Sequence, residues 1–230
     1  MAAKIKVMSA GAVKAMVDLL APEFEHETGH KLDLNFGTAG ALRDRVRNGE
    51  ASDVVILSQS IIAGLGPLVS DVTDLGKTVT GVVIKEGAPL PDISTPEAFK
   101  HALLKARAVA YTDPKSGGSG GTVFVGLLEK LGVADAVAKK AVLCKGGWDV
   151  CRAIVEGEAD IATTFISEVV PVKGARVVGP LPGDLYNANS YTGSVHAKAA
   201  QPEAAKAFLR FLTDPARRDR WTAAGLEPAF

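Results

Sequence analysis

Apolar and polar residues follow two different periods along the chain, and these periods alternate. Residues 4–10 (KIKVMSA) and 31–37 (KLDLNFG) have the alternating or continuous apolar pattern that is typical of strands. The apolar residues between them recur at the spacing of one helical face: Val13, Met16, Val17, Leu20 and Phe24. Because strands that alternate with helices form parallel-rich sheets covered on both faces, the pattern predicts an α/β protein.

The same alternation continues to the C terminus. Further strands are predicted at residues 52–58, 78–87, 108–112, 141–144, 160–167, 175–182 and 190–198. Helices are predicted at residues 12–29, 38–50, 60–65, 96–106, 123–133, 134–140, 148–158 and 202–225. Helix-end signals support several of these limits, among them Thr38 as an N-cap, Gly49 just past a helix end, and Ser94 or Thr95 before Pro96.

Small residues follow several strands and come just before a helix. In open α/β sheets, ligands bind beyond the carboxyl ends of the strands, and a helix that begins there offers unpaired N–H groups and a positive dipole end. The sequence therefore predicts an anion site. The candidate residues are Ser9, Ala10, Gly11, Thr38, Ala39, Lys115, Ser116, Gly118, Ser119, Gly120, Gly147 and Phe165.

The segment DPKSGGSGGT at residues 113–122 is the richest of these loops in glycine. Glycine costs conformational entropy, and its use here is expected to open space for a ligand. For any one loop the alternative is plain helix capping, with Ser9, Thr38 and Ser119 as the capping residues. The recurrence of such loops after several strands favours a ligand site.

Composition excludes several classes of protein. The 230 residues suffice for one large domain or two small ones, and 26 basic residues balance 26 acidic ones. A basic excess typical of nucleic-acid binding is absent, and so is a run of about 18 apolar residues that would span a membrane. No P-loop, dinucleotide fingerprint, G-x-S-x-G elbow or Ser/His/Asp set is recognisable, and we expect no cofactor.

The cysteines and histidines do not form a metal-binding pattern. His26 and His30 are four residues apart, but Gly29 between them is where the helix is expected to end, so no metal site is predicted. Cys144 and Cys151 are either free thiols or a disulfide of an oxidising compartment. No signal peptide is visible, so the protein is expected to be periplasmic with its leader removed, or else cytoplasmic.

Four stretches, in this order, resemble the molybdate-binding-protein-like group of periplasmic solute-binding proteins. They are residues 4–58, 110–133 (AYTDPKSGGSGGTVFVGLLEKLGV), 154–182 and 203–226. The resemblance implies the type II periplasmic-binding-protein fold, in which two α/β lobes with mixed, mostly parallel sheets close on a ligand and are joined by two hinge crossings. By this resemblance lobe one is residues 1–80 with 195–230, and lobe two is residues 81–194.

The resemblance also implies a small anionic ligand, a membrane transporter as partner, and a monomer. In the molybdate receptors a hydroxyl or amide from each of the first two loops holds the oxyanion, together with a tyrosine of lobe two. By position, Ser9 and Thr38 match these loops, whereas Phe165 stands where the tyrosine is expected. With Lys115 and the glycine-rich segment, this difference favours a di- or tricarboxylate over molybdate. Arg43 is expected to face solvent.

Two other functions stay open at this point. Aconitate isomerase is similar to the same group, and allylic proton transfer on a tricarboxylate would need a positioned base. The candidates for that base are His196 and Tyr111, although each is also explained by a structural role. A cytoplasmic sensor, or a domain of a larger regulator, is the third possibility.

Overall fold

The computed structural model describes residues 2–230. Its strands are β1 (Lys4–Ala10), β2 (Lys31–Gly37), β3 (Val54–Ser58), β4 (Val69–Lys85), β5 (Val109–Thr112), β6 (Ala141–Cys144), β7 (Ile161–Phe165), β8 (Ala175–Pro180), β9 (Ala188–His196) and β10 (Glu227–Pro228). Its α-helices are α1 (Lys14–Thr28), α2 (Ala39–Arg47), α3 (Gln59–Leu65), α4 (Pro96–Lys105), α5 (Ser119–Lys130), α6 (Ala134–Ala138), α7 (Gly147–Glu156), α8 (Ile166–Val169), α9 (Pro202–Leu212) and α10 (Arg218–Ala223). The alternation that the sequence predicted is therefore confirmed.

The chain forms two compact units. Unit 1 comprises the chain up to Lys77 together with Asn189–Phe230, and unit 2 comprises Thr78–Ala188. The lobe limits inferred from the sequence, after residues 80 and 194, concern which parts of the chain move as rigid lobes, and they stay a prediction.

Unit 1 contains a mixed sheet with the order β2-β1-β3-β9. Strand β1 runs parallel to β2 and β3, whereas β9 runs antiparallel to β3. Helix α1 buries the stripe that the sequence pattern identified, because Met16, Val17, Leu20 and Phe24 are all fully buried. It ends at Gly29, whose φ of 72° is the left-handed conformation that glycine adopts without strain.

Unit 2 is built on β8, the second half of β4, β7, β5 and β6, in that order. Strand β5 is parallel to β6 and β7, and β4 is antiparallel to β7 and β8. Apolar clusters cover both faces of this sheet. One contains Phe99, Tyr111, Phe124, Leu128 and Ile161, and the other contains Ala110, Val150, Cys151, Ile154 and Ala162.

Several predicted limits were wrong, and two of them concern β4 and α5. Strand β4 begins at Val69, nine residues before the predicted start at residue 78, because its polar first half pairs through Gly76 and Lys77 with β10. Helix α5 begins at Ser119, not at residue 123, so the second half of the glycine-rich segment is helical.

The described residues answer the question that the sequence left open about the two cysteines. Cys144 and Cys151 are both free and buried. None of the helices within residues 2–230 is long and apolar enough to cross a membrane.

Candidate functional site

The first two candidate loops lie side by side in unit 1. Ala10 and Gly37 are register partners at the carboxyl ends of the parallel strands β1 and β2, so the chain leaves both strands at the same edge of the sheet. Ser9 is fully buried in β1, and its hydroxyl donates to the carbonyl oxygen of Ala10 at 3.3 Å. Gly11 opens a short 3-10 turn immediately afterwards.

Thr38 caps helix α2, as the sequence predicted. Its Oγ1 accepts a hydrogen bond from the backbone N–H of Ala41 at 3.4 Å, and Ala39 is buried at the first helical position. Ser9 is not a cap, because it lies within β1. Ser119 is not a cap either, since Gly118 holds the N-cap position of α5 and Ser119 is the first helical residue.

A third hydroxyl at this edge of unit 1 was missed by the sequence analysis. Ser58 ends the parallel strand β3, is buried, and pairs in register with Tyr191 of β9. The hydroxyl of Tyr191 accepts a hydrogen bond from the Nδ2 of Asn189 at 2.9 Å. The signal that could have found Ser58 is its position: like Ser9, it is a small hydroxyl residue at the carboxyl end of a buried strand.

In unit 2 the segment 113–122 is folded rather than flexible. The carboxylate of Asp113 accepts from the backbone N–H of Lys115 at 2.9 Å, and the hydroxyl of Ser116 donates to the carbonyl oxygen of Asp113 at 2.7 Å. Gly117 follows with a φ of 78°. The side chain of Lys115 is exposed and forms no ion pair within the described residues.

The glycines of this segment have different roles, which corrects the expectation that they all open space. A β-carbon at Gly118 would overlap the Thr112 side chain, and one at Gly121 would overlap the Thr112 carbonyl oxygen. These two glycines let α5 approach β5. At Gly120, by contrast, a β-carbon would lie 3.5 Å from the ring of Phe165, an ordinary contact distance. Gly120 and Phe165 are therefore brought together, and Phe165 itself is buried at the end of β7.

Gly147 starts helix α7 against a buried acid that the sequence analysis missed. A β-carbon at Gly147 would overlap both the carboxylate of Glu168 and the hydroxyl of Thr164. The Thr164 hydroxyl donates to Glu168 Oε2 at 2.6 Å. Burial raises the pKa of Glu168 to about 7, against the opposing effect of hydrogen bonds from Thr164 and from the Phe165 backbone N–H. From sequence alone Glu168, in the short helix α8, looks like an ordinary surface glutamate.

The two candidate bases differ sharply in position. His196 lies next to the amino end of β3. Its backbone N–H donates to the carbonyl oxygen of Asp53, and its Nδ1 is 3.3 Å from the carbonyl oxygen of Ser52. It thus lies at the opposite edge of the unit 1 sheet from Ser9, and we discard it as a base acting at these loops. Tyr111 lies on β5, packed edge-on against Phe124, and burial followed by the charge of Asp113 raises its pKa.

Two other side chains considered in the sequence analysis, Arg43 and His30, are engaged by partners of their own. Arg43 pairs with the neighbouring Asp44 at 2.8 Å on an exposed surface, as expected. His30 accepts from the Ala3 backbone N–H through Nδ1 and stacks on Phe24. Within residues 2–230 there is no group of three or more His, Cys, Asp or Glu side chains that could hold a metal ion.

Comparison with known proteins gives consistent matches over nearly the whole chain. The family described as "Bacterial extracellular solute-binding protein" matches residues 5–227. An aconitate isomerase from Pseudomonas sp. is 31% identical over 97% of this chain and 87% of its own length. The molybdate-binding protein ModA of Azotobacter vinelandii is 26% identical over 93% of this chain and 86% of its own.

A solved structure supports the fold. The periplasmic molybdate-binding protein of Azotobacter vinelandii superposes with a TM-score of 0.79 at 18% identity, covering 96% of this chain and 98% of that one. The likeness confirms the two-lobed α/β fold of periplasmic binding proteins that the resemblance implied.

Proposed function

Since the chain belongs to the bacterial extracellular solute-binding protein family, we propose that it binds a small anion and delivers it to a membrane transporter of the ABC type. The proposed binding groups are hydroxyls and backbone N–H groups of the candidate loops. The protein acts as a monomer in the periplasm. Family membership supports the proposed transport role, and the small residues at the strand ends support the proposed binding groups.

The observation that carries this proposal is the convergence of small residues at strand ends. In unit 1, Ala10 and Gly37 are register partners, so the loops containing Ser9 and Thr38 leave one edge of the sheet together. In unit 2, Gly120 in the first turn of α5 faces Phe165 at the end of β7. Helix N-termini at such an edge bind anions through free N–H groups without a buried counter-charge.

An organic polycarboxylate fits these loops better than molybdate does. Phe165 stands where the molybdate receptors are expected to have a tyrosine, so it offers a hydrocarbon ring and no hydroxyl. Because Gly120 carries no side chain over that ring, a ligand with a carbon skeleton would gain apolar contact there. The exposed Lys115 near the same segment adds a positive charge suited to a second or third carboxylate.

Titration calorimetry tests the proposal with trans-aconitate, citrate, molybdate and sulfate as probes. We expect at least one carboxylate to bind with a dissociation constant at least about tenfold lower than that of molybdate, equivalent to about 1.4 kcal/mol. Tighter binding of molybdate would remove the carboxylate preference but keep the anion-binding function. If no probe binds and none raises the melting temperature, the proposed function is wrong.

The similarity to an aconitate isomerase favours a second candidate function, isomerisation of an unsaturated tricarboxylate. Tyr111 is the candidate proton-transfer residue. Its pKa is raised, so it carries its proton at neutral pH. It would deliver this proton to one end of the allylic system and take one back from the other end, which returns the phenol to its starting form. The reaction is measured as the change in ultraviolet absorbance of a cis-aconitate solution after the protein is added.

Turnover that falls at least about 100-fold in Tyr111→Phe, with trans-aconitate still bound, would support this role. His196→Asn is the control and should keep full turnover. If the native protein binds aconitate without turning it over, the isomerase function is excluded and only the proposed transport function remains.

A further inference from the structure

Glu168 is a buried acid whose environment contains hydrogen-bond donors but no cation. Only 6% of the residue is exposed, and it forms no ion pair within the described part of the chain. Its carboxyl group accepts from the Thr164 hydroxyl at 2.6 Å and from the backbone N–H of Phe165. A buried carboxylate without a counter-ion is costly, so the neutral, protonated form persists to a higher pH than in an exposed glutamate.

The titratable groups on the elements around Glu168 do not neutralise it. On α7, Cys151 faces it: the charge of Glu168 helps to raise the pKa of that thiol, and the thiol donates to the Glu168 carbonyl oxygen at 3.6 Å. Asp149 in the first turn of α7 pairs instead with Arg152 at 3.1 Å. Arg176 on β8 is exposed. Strand β7 offers the carboxyl group two uncharged donors, the Thr164 hydroxyl and the Phe165 backbone N–H.

The carboxyl group also occupies a particular place in unit 2. It lies against Gly147 at the start of α7, where a β-carbon would overlap it. Along the chain, Glu168 is the third residue of α8, and Phe165 is the N-cap of that helix. Both Gly147 and Phe165 belong to the proposed anion-binding loops. An ionised Glu168 would repel an anion held there and would compete with it for the positive end of α7.

We propose that Glu168 is a positioning residue that couples anion binding to proton uptake: the anion binds more tightly when the Glu168 carboxyl carries its proton. This inference rests on the proposed anion-binding function. By thermodynamic reciprocity, bound anion must in turn favour the protonated form of Glu168. Binding is then strongest below neutral pH and weakens as pH rises through the titration of Glu168.

The test measures the affinity of trans-aconitate and of molybdate by calorimetry at pH 6, 7 and 8, in the native protein and in Glu168→Gln. We expect the dissociation constant to increase from pH 6 to pH 8 in the native protein, by a factor at least about three times larger than the factor measured for Glu168→Gln. Ionisation of the probes contributes equally to both proteins, so the difference isolates Glu168. Glu156→Gln, an exposed change at the far end of α7, is the matched control and should behave as native.

A second measurement is made first on the native protein, so that its main result does not depend on whether a variant folds. The ¹³C chemical shift of the Glu168 carboxyl carbon should titrate with a midpoint near 7 and move to higher pH when trans-aconitate is saturating. Thr164→Val removes a hydrogen bond to the ionised form, so its midpoint should lie above that of the native protein.

Binding with the same pH dependence in native protein and Glu168→Gln would overturn the inference and leave the proposed function standing. A carboxyl midpoint that does not move on binding would overturn it as well. Absence of binding by every probe at every pH would remove the proposed function, and this inference with it.

Discussion

Gly147 lies so close to Glu168 that any side chain at position 147 would overlap the carboxyl group. This closeness is part of the burial that raises the pKa of Glu168 from 4.5 to about 7. Because the folded pKa is the higher one, folding takes up a proton between these two values. Stability is therefore greatest at the acidic end of this window and declines as pH rises to about 7.

We predict that the native protein loses on the order of 3 kcal/mol relative to Glu168→Gln over that window, the equivalent of the pKa shift. Urea unfolding at half-unit pH intervals measures the free energy of unfolding of both proteins. Other groups titrate in the same range, so the difference between the two curves is the quantity to compare. Parallel curves would mean that Glu168 does not titrate in this window.

Gly120 and Gly121 are neighbours in α5 with opposite expected responses to alanine. In Gly121→Ala the new methyl group would overlap the Thr112 carbonyl oxygen, and we expect a loss of about 2–4 kcal/mol in the free energy of unfolding. In Gly120→Ala the methyl group only reaches contact distance of Phe165, and alanine favours the helix, so stability should change by less than about 1 kcal/mol. Equal losses in the two variants, measured by urea unfolding, would contradict the packing difference.

Thr38 has a structural role as a helix cap and a proposed role in binding. A variant of another capping threonine, Thr95, serves as the control that separates the two roles. Removing the cap in Thr38→Ala should cost about 1 kcal/mol of stability. Thr95→Ala removes the equivalent cap of α4, where Oγ1 accepts from the Ala98 backbone N–H at 3.0 Å, at a similar cost.

Of these two cap variants, only Thr38→Ala should also weaken binding of the preferred anion, by about 1–3 kcal/mol in calorimetry, because it leaves a buried ligand acceptor unpaired. We expect the same loss in Ser119→Ala. Affinity unchanged in both of these variants would show that neither hydroxyl holds the ligand.

The two cysteines should be inert in the folded protein. Burial raises the pKa of Cys144 to about 11 and that of Cys151 to about 12, so little thiolate is present at pH 8. We predict that a disulfide reagent modifies both thiols rapidly in urea but only slowly in native buffer. Rapid modification of either thiol without denaturant would show that the residues burying it move away readily in the folded protein.

The sequence predicted the fold because local pattern and tertiary structure agree over most of the chain. The stripe ending at Phe24, the cap at Thr38 and the glycine at position 29 each act within one helix, and each was read correctly. The first half of β4 was missed because its polar residues carry no strand pattern, and its pairing depends on β10, about 150 residues away along the chain.

The candidate site was only partly predictable for the same reason. Strand ends can be located from the pattern, so the loops containing Ser9, Thr38 and Gly120 were found. What each side chain contacts depends on elements distant in sequence. Glu168 looks like a surface residue until α7 covers it, and the need for Gly121 becomes visible only once α5 lies on β5.

The position of Gly120 beside Phe165 has a consequence for how such a protein can diversify. Gly118 and Gly121 let α5 pack against β5, whereas a β-carbon at position 120 meets only the ring of Phe165 at contact distance, so a small side chain there would leave that packing unchanged. A collection of variants at positions 120 and 165 would sample cavities of different volume on one scaffold. Selectivity among anions of different length could then be altered by evolution, or by an engineer, without having to rebuild the protein.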